Sequence, residues 1–300
     1  MKINLKQINI ETIKNKLIGQ EFKDSNLLIY LQNFFEKRII KFEMIDQVVK
    51  GKNIKGIIYF QDNTSYFIKY GDVLKEVNIY KQLKNKCCSF IKYIDPDILI
   101  LKDLSEAKWY PFIWTKEKIK IFLKNIKDFS KLNFSNLPHA YEIFKKNKTK
   151  FNFEILVIEK YVTERWLQNN LSIIKKNINL NILKGDDVCH GDLHDKNIYF
   201  LNNNFYFIDF DQIRRGNINF QIARFLPYIN LLNGPIPEKI INLDPEYATL
   251  VCCMDVYQCK EMQEKNILIP GKTITSTLPW MIRALKLTPP DGEKADLLLN

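Results

Sequence analysis

The stretch VCHGDLHDKNIYF, residues 188–200, is followed after a short polar link by FYFIDFDQIRRG, residues 205–216. The first part sets His190, Asp192, His194, Asp195 and Asn197 between apolar flanks. The second sets Asp209 inside an aromatic run. A carboxylate in an apolar strand is costly unless something compensates its charge, so the partner of Asp209 is the question this stretch poses. Asn202–Asn204 carry turn chemistry and predict a hairpin. Pairing across it returns Asn197 and Asp209 to the same end of two strands, with Asp192 beside them. An Asn and two Asp converging on one point form a hard-oxygen donor set, which suits Mg²⁺ bridging phosphate oxygens. The expectation is that a divalent ion compensates Asp209.

Working outward, residues 11–40 read as helical through Leu27, Leu28, Leu31, Phe34 and Phe35. Three short apolar runs follow, at 42–51, 54–60 and 65–70, divided by polar turn residues, and predict three strands. The spacing of Val73, Val77, Tyr80 and Leu83 predicts a helix over 72–86, and FIKYI (90–94) and DILILKDL (97–104) read as two more strands. Beyond Trp109 the period becomes helical. Ile119, Phe122, Leu123, Ile126, Phe129 and Leu132 make one apolar face, and a second long helical stretch is expected over about 153–183. The pattern predicts an α+β chain. Residues 1–103 form a small lobe with an N-terminal helix, a five-stranded antiparallel sheet and one further helix. Residues 104–290 form a larger, mainly helical lobe with the loop and hairpin, and 291–300 form a poorly ordered tail. The joint falls near Leu101–Leu104, and this element order implies a ligand cleft between lobes.

Composition narrows the classes. Of 300 residues 46% are hydrophobic, so most of the chain is expected to fold. The six Cys include the neighbours Cys87–Cys88 and Cys252–Cys253 but no C-x-x-C, which argues against a zinc ribbon or a thioredoxin-type motif. His190 and His194 stand four apart in a loop and lack a third His or Cys, which disfavours zinc. The first residues interleave charge with apolar side chains, unlike a signal peptide, and no apolar run approaches a bilayer span. A cytoplasmic placement is expected. The net charge of +11 is spread along a chain rich in Lys, Asn and Ile, which reads first as a composition bias. The functional reading of that charge is attraction to an anionic partner. No nucleic-acid partner is expected.

His190-Gly191-Asp192-Leu193-His194, Asn197 and the later Ile208-Asp209-Phe210-Asp211 together resemble the aminoglycoside phosphotransferase and choline kinase family, which has a bilobal protein-kinase-like fold. Lys69 in FIKY resembles the third-strand lysine, and Glu76 its ion-pair partner. The resemblance covers roughly residues 40–230 and implies an ATP- and Mg²⁺-dependent phosphotransferase. Asp192 is implied to orient or accept the proton of an acceptor hydroxyl, and Asn197 and Asp209 to hold Mg²⁺. Lys69 is implied to contact the α- and β-phosphates with Glu76 holding it. The turn with Gly51 and Gly56 is expected over the phosphates, although it lacks G-x-G-x-x-G. Backbone groups near Leu101 and Leu104 are expected to meet adenine. His190 is taken as structural in the catalytic loop. Gln221 stands where the family usually has an Asp that supports this loop.

The implied partner is a small-molecule hydroxyl acceptor: a sugar, an amino alcohol or an aminoglycoside-like compound. Arg214 and Arg215 follow the Asp209 motif and also resemble a feature of lipopolysaccharide core sugar kinases. In that alternative they reach the acceptor, and contact with a membrane surface is expected only if the acceptor is a lipid-linked sugar. Asp211 reads equally as a second metal neighbour, a substrate contact or a solvated acid. A reading from another class is a catalytically weak, kinase-fold nucleotide-binding protein.

Overall fold

The computed structural model describes residues 26–44, 54–83, 90–94, 98–104, 114–145, 151–264 and 274–299. The chain divides into two units, Met1–Ala107 with Tyr206–Asp211, and Lys108–Phe205 with Gln212–Asn300. In the first unit, β1 (Ile39–Met44), β2 (Ile54–Phe60), β3 (Ser65–Tyr70), β4 (Phe90–Ile94) and β5 (Ile98–Lys102) form one antiparallel sheet in the order β1-β2-β3-β5-β4. Alternation along the strands sorts their side chains by face. Ile58, Phe60, Ile68, Tyr70, Ile98 and Ile100 pack under α1 (Asn26–Phe35), whose Leu27, Leu28 and Leu31 complete that core. Lys69, next to Ile68 and Tyr70, therefore points to the opposite face. There α2 (Leu74–Leu83) presents Glu76 to it and buries Val77, Tyr80 and Leu83.

The helix expected over 11–40 occupies only 26–35 of the described residues. Glu36 turns into the left-handed region (φ 52°). Gln32 Oε1 then accepts from the Ile39 amide at 2.9 Å. The β-branched Ile39 and Ile40 start β1 instead of continuing the helix. Gly51 lies outside the described residues. Gly56 is not in a turn: it sits inside β2, opposite Met44 and Ile68. A Cβ there would run into the Phe42 ring and lie 2.7 Å from the Glu43 carbonyl oxygen. Strand crowding accounts for this glycine.

The second unit begins with α3 (Lys116–Ser130), capped by Thr115 Oγ1, which accepts from the Lys118 amide at 3.3 Å. Its face of Ile119, Phe122, Ile126 and Phe129 is buried, and Phe122 meets the rings of Trp114, Phe205 and Phe225. The short α4 (Ala140–Lys145) follows. The stretch expected as one helix over 153–183 is broken into α5 (Glu154–Ile158), α6 (Glu164–Lys176) and a 3₁₀ turn at Leu180–Leu183. The cause is local. Lys160 takes a left-handed φ of 64°, and Thr163 caps α6 by accepting from the Trp166 amide at 3.2 Å.

Then come β6 (Asp187–Cys189), the hairpin strands β7 (Ile198–Leu201) and β8 (Asn204–Phe207), and β9 (Arg214–Gly216), which pairs with β6. The hairpin turns at Asn202 and Asn203, both at positive φ (50° and 59°), as a tight two-residue turn requires. The described residues that follow carry the helices α7 (Ile218–Leu231), α8 (Pro237–Ile240), α9 (Pro245–Glu264) and α10 (Ile274–Leu285). Residues 291–299 do not form a loose tail. The Asp291 carboxylate accepts from the Thr163 amide and hydroxyl at 2.9 and 2.7 Å. The Lys294 amide donates to the Lys160 carbonyl at 2.9 Å, and α11 (Asp296–Leu299) buries Leu298. These polar groups tie down the break between α5 and α6.

Asp255 is a buried carboxylate on α9 that the sequence did not single out. Burial pushes its carboxyl up to about 6, against the pull of Arg224 and the Thr277 hydroxyl. Between about pH 4 and 6 the folded chain thus holds a proton that the unfolded chain has released, so this group lowers stability as pH rises through that window. Asp255→Asn is expected to be more stable than the parent at pH 7 by about 1–3 kcal/mol, with the gap closing by about pH 4. Urea unfolding at the two pH values checks this; a variant penalised more at pH 7 than at pH 4 would contradict it.

Candidate functional site

The polar side chains that the sequence singles out fall into two sets, one in each unit. In the first unit, Lys69 Nζ donates to Glu76 Oε1 at 2.9 Å and Oε2 at 2.7 Å, and lies 3.2 Å from Asp209 Oδ1. The Lys69 and Glu76 side chains are 6% and 4% exposed, whereas that of Asp209 is 33% exposed. Burial drags the Lys69 ammonium down, but the Glu76 and Asp209 carboxylates more than restore it, so it stays charged and above the ordinary lysine value. Asp209 has a backbone φ of 63°, a region that Asp tolerates better than most residues. Strain of this kind gathers at functional sites.

The partner sought for Asp209 is therefore, at least in part, the chain's own Lys69 ammonium, and the carboxylate is only half-buried. Both findings correct the expectation that a divalent ion alone makes its position tenable. The exposed Asp211 stands close by: single carboxylate oxygens of Glu76, Asp209 and Asp211 lie within 4.8 Å of one another. Three carboxylates against one ammonium leave an excess of two negative charges. Hard oxygen donors with that excess fit a divalent cation such as Mg²⁺. In the sheet, Leu101 lies opposite Phe67 and Phe90, while Leu104 lies past the end of β5; both side chains are buried.

In the second unit, the loop after β6 carries Gly191 and Asp192. Gly191 has φ +84°, and a Cβ there would collide with the Gln212 carbonyl oxygen. Its amide donates to Gln221 Oε1 at 3.3 Å. Asn197 is buried and donates through Nδ2 to the Asp192 carbonyl at 2.8 Å, which leaves its side-chain oxygen as the atom that can face a cation. The Asp192 carboxylate is 38% exposed, and His194 Nε2 lies 3.8 Å from it. His190 is fully buried beside Phe129, in keeping with a structural place in the loop.

Arg214 and Arg215 are not turned out toward an acceptor. Arg214 is buried, and its guanidinium donates to Gly191 O at 2.6 Å and to Gln212 O at 3.0 Å. Arg215 donates to Asp186 O at 2.8 Å and Phe134 O at 2.6 Å. Each is committed to main-chain carbonyls, which overturns their reading as free acceptor contacts. No sequence signal marked these bonds: the carbonyls belong to residues of any type, and the fold, in part the β6–β9 pairing, brings those of Phe134, Asp186 and Gly191 within reach.

No known family profile matches the chain, and neither does any curated protein sequence. Solved structures do match. A thermostable mutant of aminoglycoside phosphotransferase APH(4)-Ia is 8% identical, with 86% of this chain and 98% of that one covered and a TM-score of 0.53. The aminoglycoside phosphotransferase from Alicyclobacillus acidocaldarius is 10% identical, with 89% and 96% covered and a TM-score of 0.52. The choline kinase LicA from Streptococcus pneumoniae is 13% identical, with 87% and 99% covered and a TM-score of 0.50. At these identities the likeness establishes the fold, which is protein-kinase-like.

Lys69→Met leaves Glu76 buried without its ammonium and is expected to cost about 3–5 kcal/mol of stability. Asp209→Asn leaves Lys69 on both Glu76 oxygens and is expected to change stability by less than about 1 kcal/mol, as befits a carboxylate one-third exposed. Urea titration of the two variants checks the order; an Asp209→Asn loss as large as that of Lys69→Met would contradict it.

Proposed function

We propose that this chain is an ATP-dependent phosphotransferase that phosphorylates a hydroxyl of a small molecule. The observation that carries the reading is the buried Lys69 ammonium, gripped by both Glu76 oxygens with the half-exposed Asp209 carboxylate against it. An ammonium fixed next to a surplus of carboxylate oxygen suits a polyphosphate together with the divalent cation it carries. The fold supports the reading, as do Asp192 and Asn197 on their loop. The solved structures that share this fold are named as aminoglycoside phosphotransferases and a choline kinase.

Phosphoryl transfer goes through a loose, charged transition state, so the protein mainly positions groups and stabilises charge. In this reading Lys69 meets the α- and β-phosphates, and Glu76 keeps it from collapsing onto Asp209. In the first unit Asp209 would hold Mg²⁺, with an Asp211 oxygen in reach of it, and in the second the Asn197 oxygen is the atom that would serve as a ligand. Mg²⁺ would supply neutralisation of phosphate charge. Adenine lies against the segment after β5, around Leu104. Asp192 orients the acceptor hydroxyl and takes its proton as the new O–P bond forms; ADP leaves.

The acceptor is a sugar, an amino alcohol or an aminoglycoside-like compound. The lipopolysaccharide core sugar alternative, and with it contact with a membrane surface, loses the support it drew from Arg214 and Arg215. Among the described residues no helix is long and apolar enough to cross a membrane.

Asp192→Ala is expected to lower transfer to a hydroxyl acceptor by about 10²–10⁴-fold while ATP affinity stays within about twofold, because a proton acceptor acts in the chemical step. Steady-state kinetics alongside nucleotide titration measure both. Turnover within a few-fold of the parent would remove Asp192 from this role. A parent that binds ATP but transfers to no acceptor would leave the nucleotide-binding alternative standing.

A further inference from the structure

We propose that Arg214 is a positioning residue for Asp192, acting through the Gly191 carbonyl, while Gln221 holds the same residue by its amide. The inference rests on the reading of Asp192 given above and adds what makes that aspartate point one way.

Gly191 is the residue on which the direction of Asp192 depends. Its carbonyl belongs to the peptide that leads into Asp192, so rotating that peptide swings the Asp192 side chain. A glycine at φ +84° has no Cβ to restrict that rotation. The structure restricts it from outside. Arg214 Nη2 donates to the Gly191 carbonyl at 2.6 Å, and Gln221 Oε1 accepts from the Gly191 amide at 3.3 Å. The guanidinium is itself aimed by two further bonds, Nε to Gln212 O at 3.0 Å and Nη2 to Gln212 Oε1 at 3.1 Å. It also lies over the Phe144 ring at 5.5 Å. The β6–β9 register, Cys189 opposite Arg214, delivers the side chain to the loop.

Arg214 is an expensive choice for packing alone. It is buried, and among the described residues no carboxylate lies within ion-pair distance of its guanidinium. Burial, reinforced by the nearby Arg224, pulls it down to about 10. An apolar side chain of similar volume fills such a place at less cost. What an apolar side chain cannot do is hold the Gly191 carbonyl. A misplacement of about 1 Å at a reacting group costs on the order of 10²-fold in rate, which sets the size of the effect.

A small pocket of about 30 Å³ lined by Gly191, Arg214, Gln221, Arg224, Phe144 and Phe220, among others, adjoins the guanidinium. In Arg214→Ala that space joins the volume of the removed side chain and gives free guanidinium ion a route to the vacated position. The experiment uses the full chain, as Arg214→Ala and as Arg214→Lys, which keeps the charge but not the fork. For Arg214→Ala the expected result is a kcat lower by about 100-fold, with both KM values within about twofold of the parent. Millimolar guanidinium chloride is expected to restore about tenfold of that loss, as a returned donor to one carbonyl does. Arg214→Lys falls between. Amide hydrogen exchange is expected to quicken at Gly191 and Asp192 and to stay unchanged in β6 and α7.

A parent-like kcat in Arg214→Ala overturns the inference. So does a loss that guanidinium does not relieve, or exchange that does not quicken at Gly191 and Asp192. Exchange needs no turnover, so the two readings fail separately. Quickened exchange in a protein whose parent transfers no phosphate overturns the phosphotransferase reading alone; unchanged exchange overturns the positioning inference whatever the parent does.

Discussion

A lysine ammonium that is almost fully buried makes the first unit's geometry obligatory. Removing Lys69 from water is unfavourable unless a carboxylate meets it, and Glu76 meets it with both oxygens, at 2.7 and 2.9 Å. That requirement fixes the docking of α2 on the sheet, because Glu76 reaches Lys69 only from the face opposite α1. It also fixes the register of β3 against β2 and β5. A slip by one residue would exchange Lys69 for Ile68 or Tyr70 and turn the charge into the apolar core under α1. Asp209 is the third member. Its left-handed backbone and partial exposure leave it able to face both the ammonium and a ligand.

The second unit solves a different problem by the same kind of means. Asp192 follows a glycine at positive φ, the least restrained backbone available. Its direction is set by bonds from β9, α7 and Asn197 to the main chain of the loop. Each unit thus sets a candidate site carboxylate at or next to a residue of positive φ, Asp209 itself in one and Gly191 before Asp192 in the other, and surrounds it with buried polar partners.

Much of this was legible in the sequence, and the limits have physical reasons. The short apolar runs between polar turn residues and the face of Val77, Tyr80 and Leu83 set the strands and α2, because apolar runs and helical spacing mark what is buried there. Lys69 and Glu76 could be paired in advance only through the family resemblance, from their order along the chain. The break between α5 and α6 could not be read, since it depends on Asp291 coming back from 128 residues away to accept from Thr163. Arg214 and Arg215 looked like free basic residues for the same reason: the carbonyls they bind are invisible in a side-chain pattern. Asp209 was read as needing a metal because a sequence does not show that Lys69, 140 residues earlier, stands 3.2 Å away.

The central claim, that these fixed carboxylates and the buried ammonium serve transfer of a phosphoryl group to a hydroxyl, is tested most directly by phosphorus NMR. The full chain is incubated with ATP, Mg²⁺ and a panel of sugars, amino alcohols and aminoglycosides. The account predicts that at least one acceptor gives a new phosphate monoester resonance growing in step with ADP. Nucleotide that binds while every acceptor in the panel yields no monoester, or yields only inorganic phosphate, would contradict it.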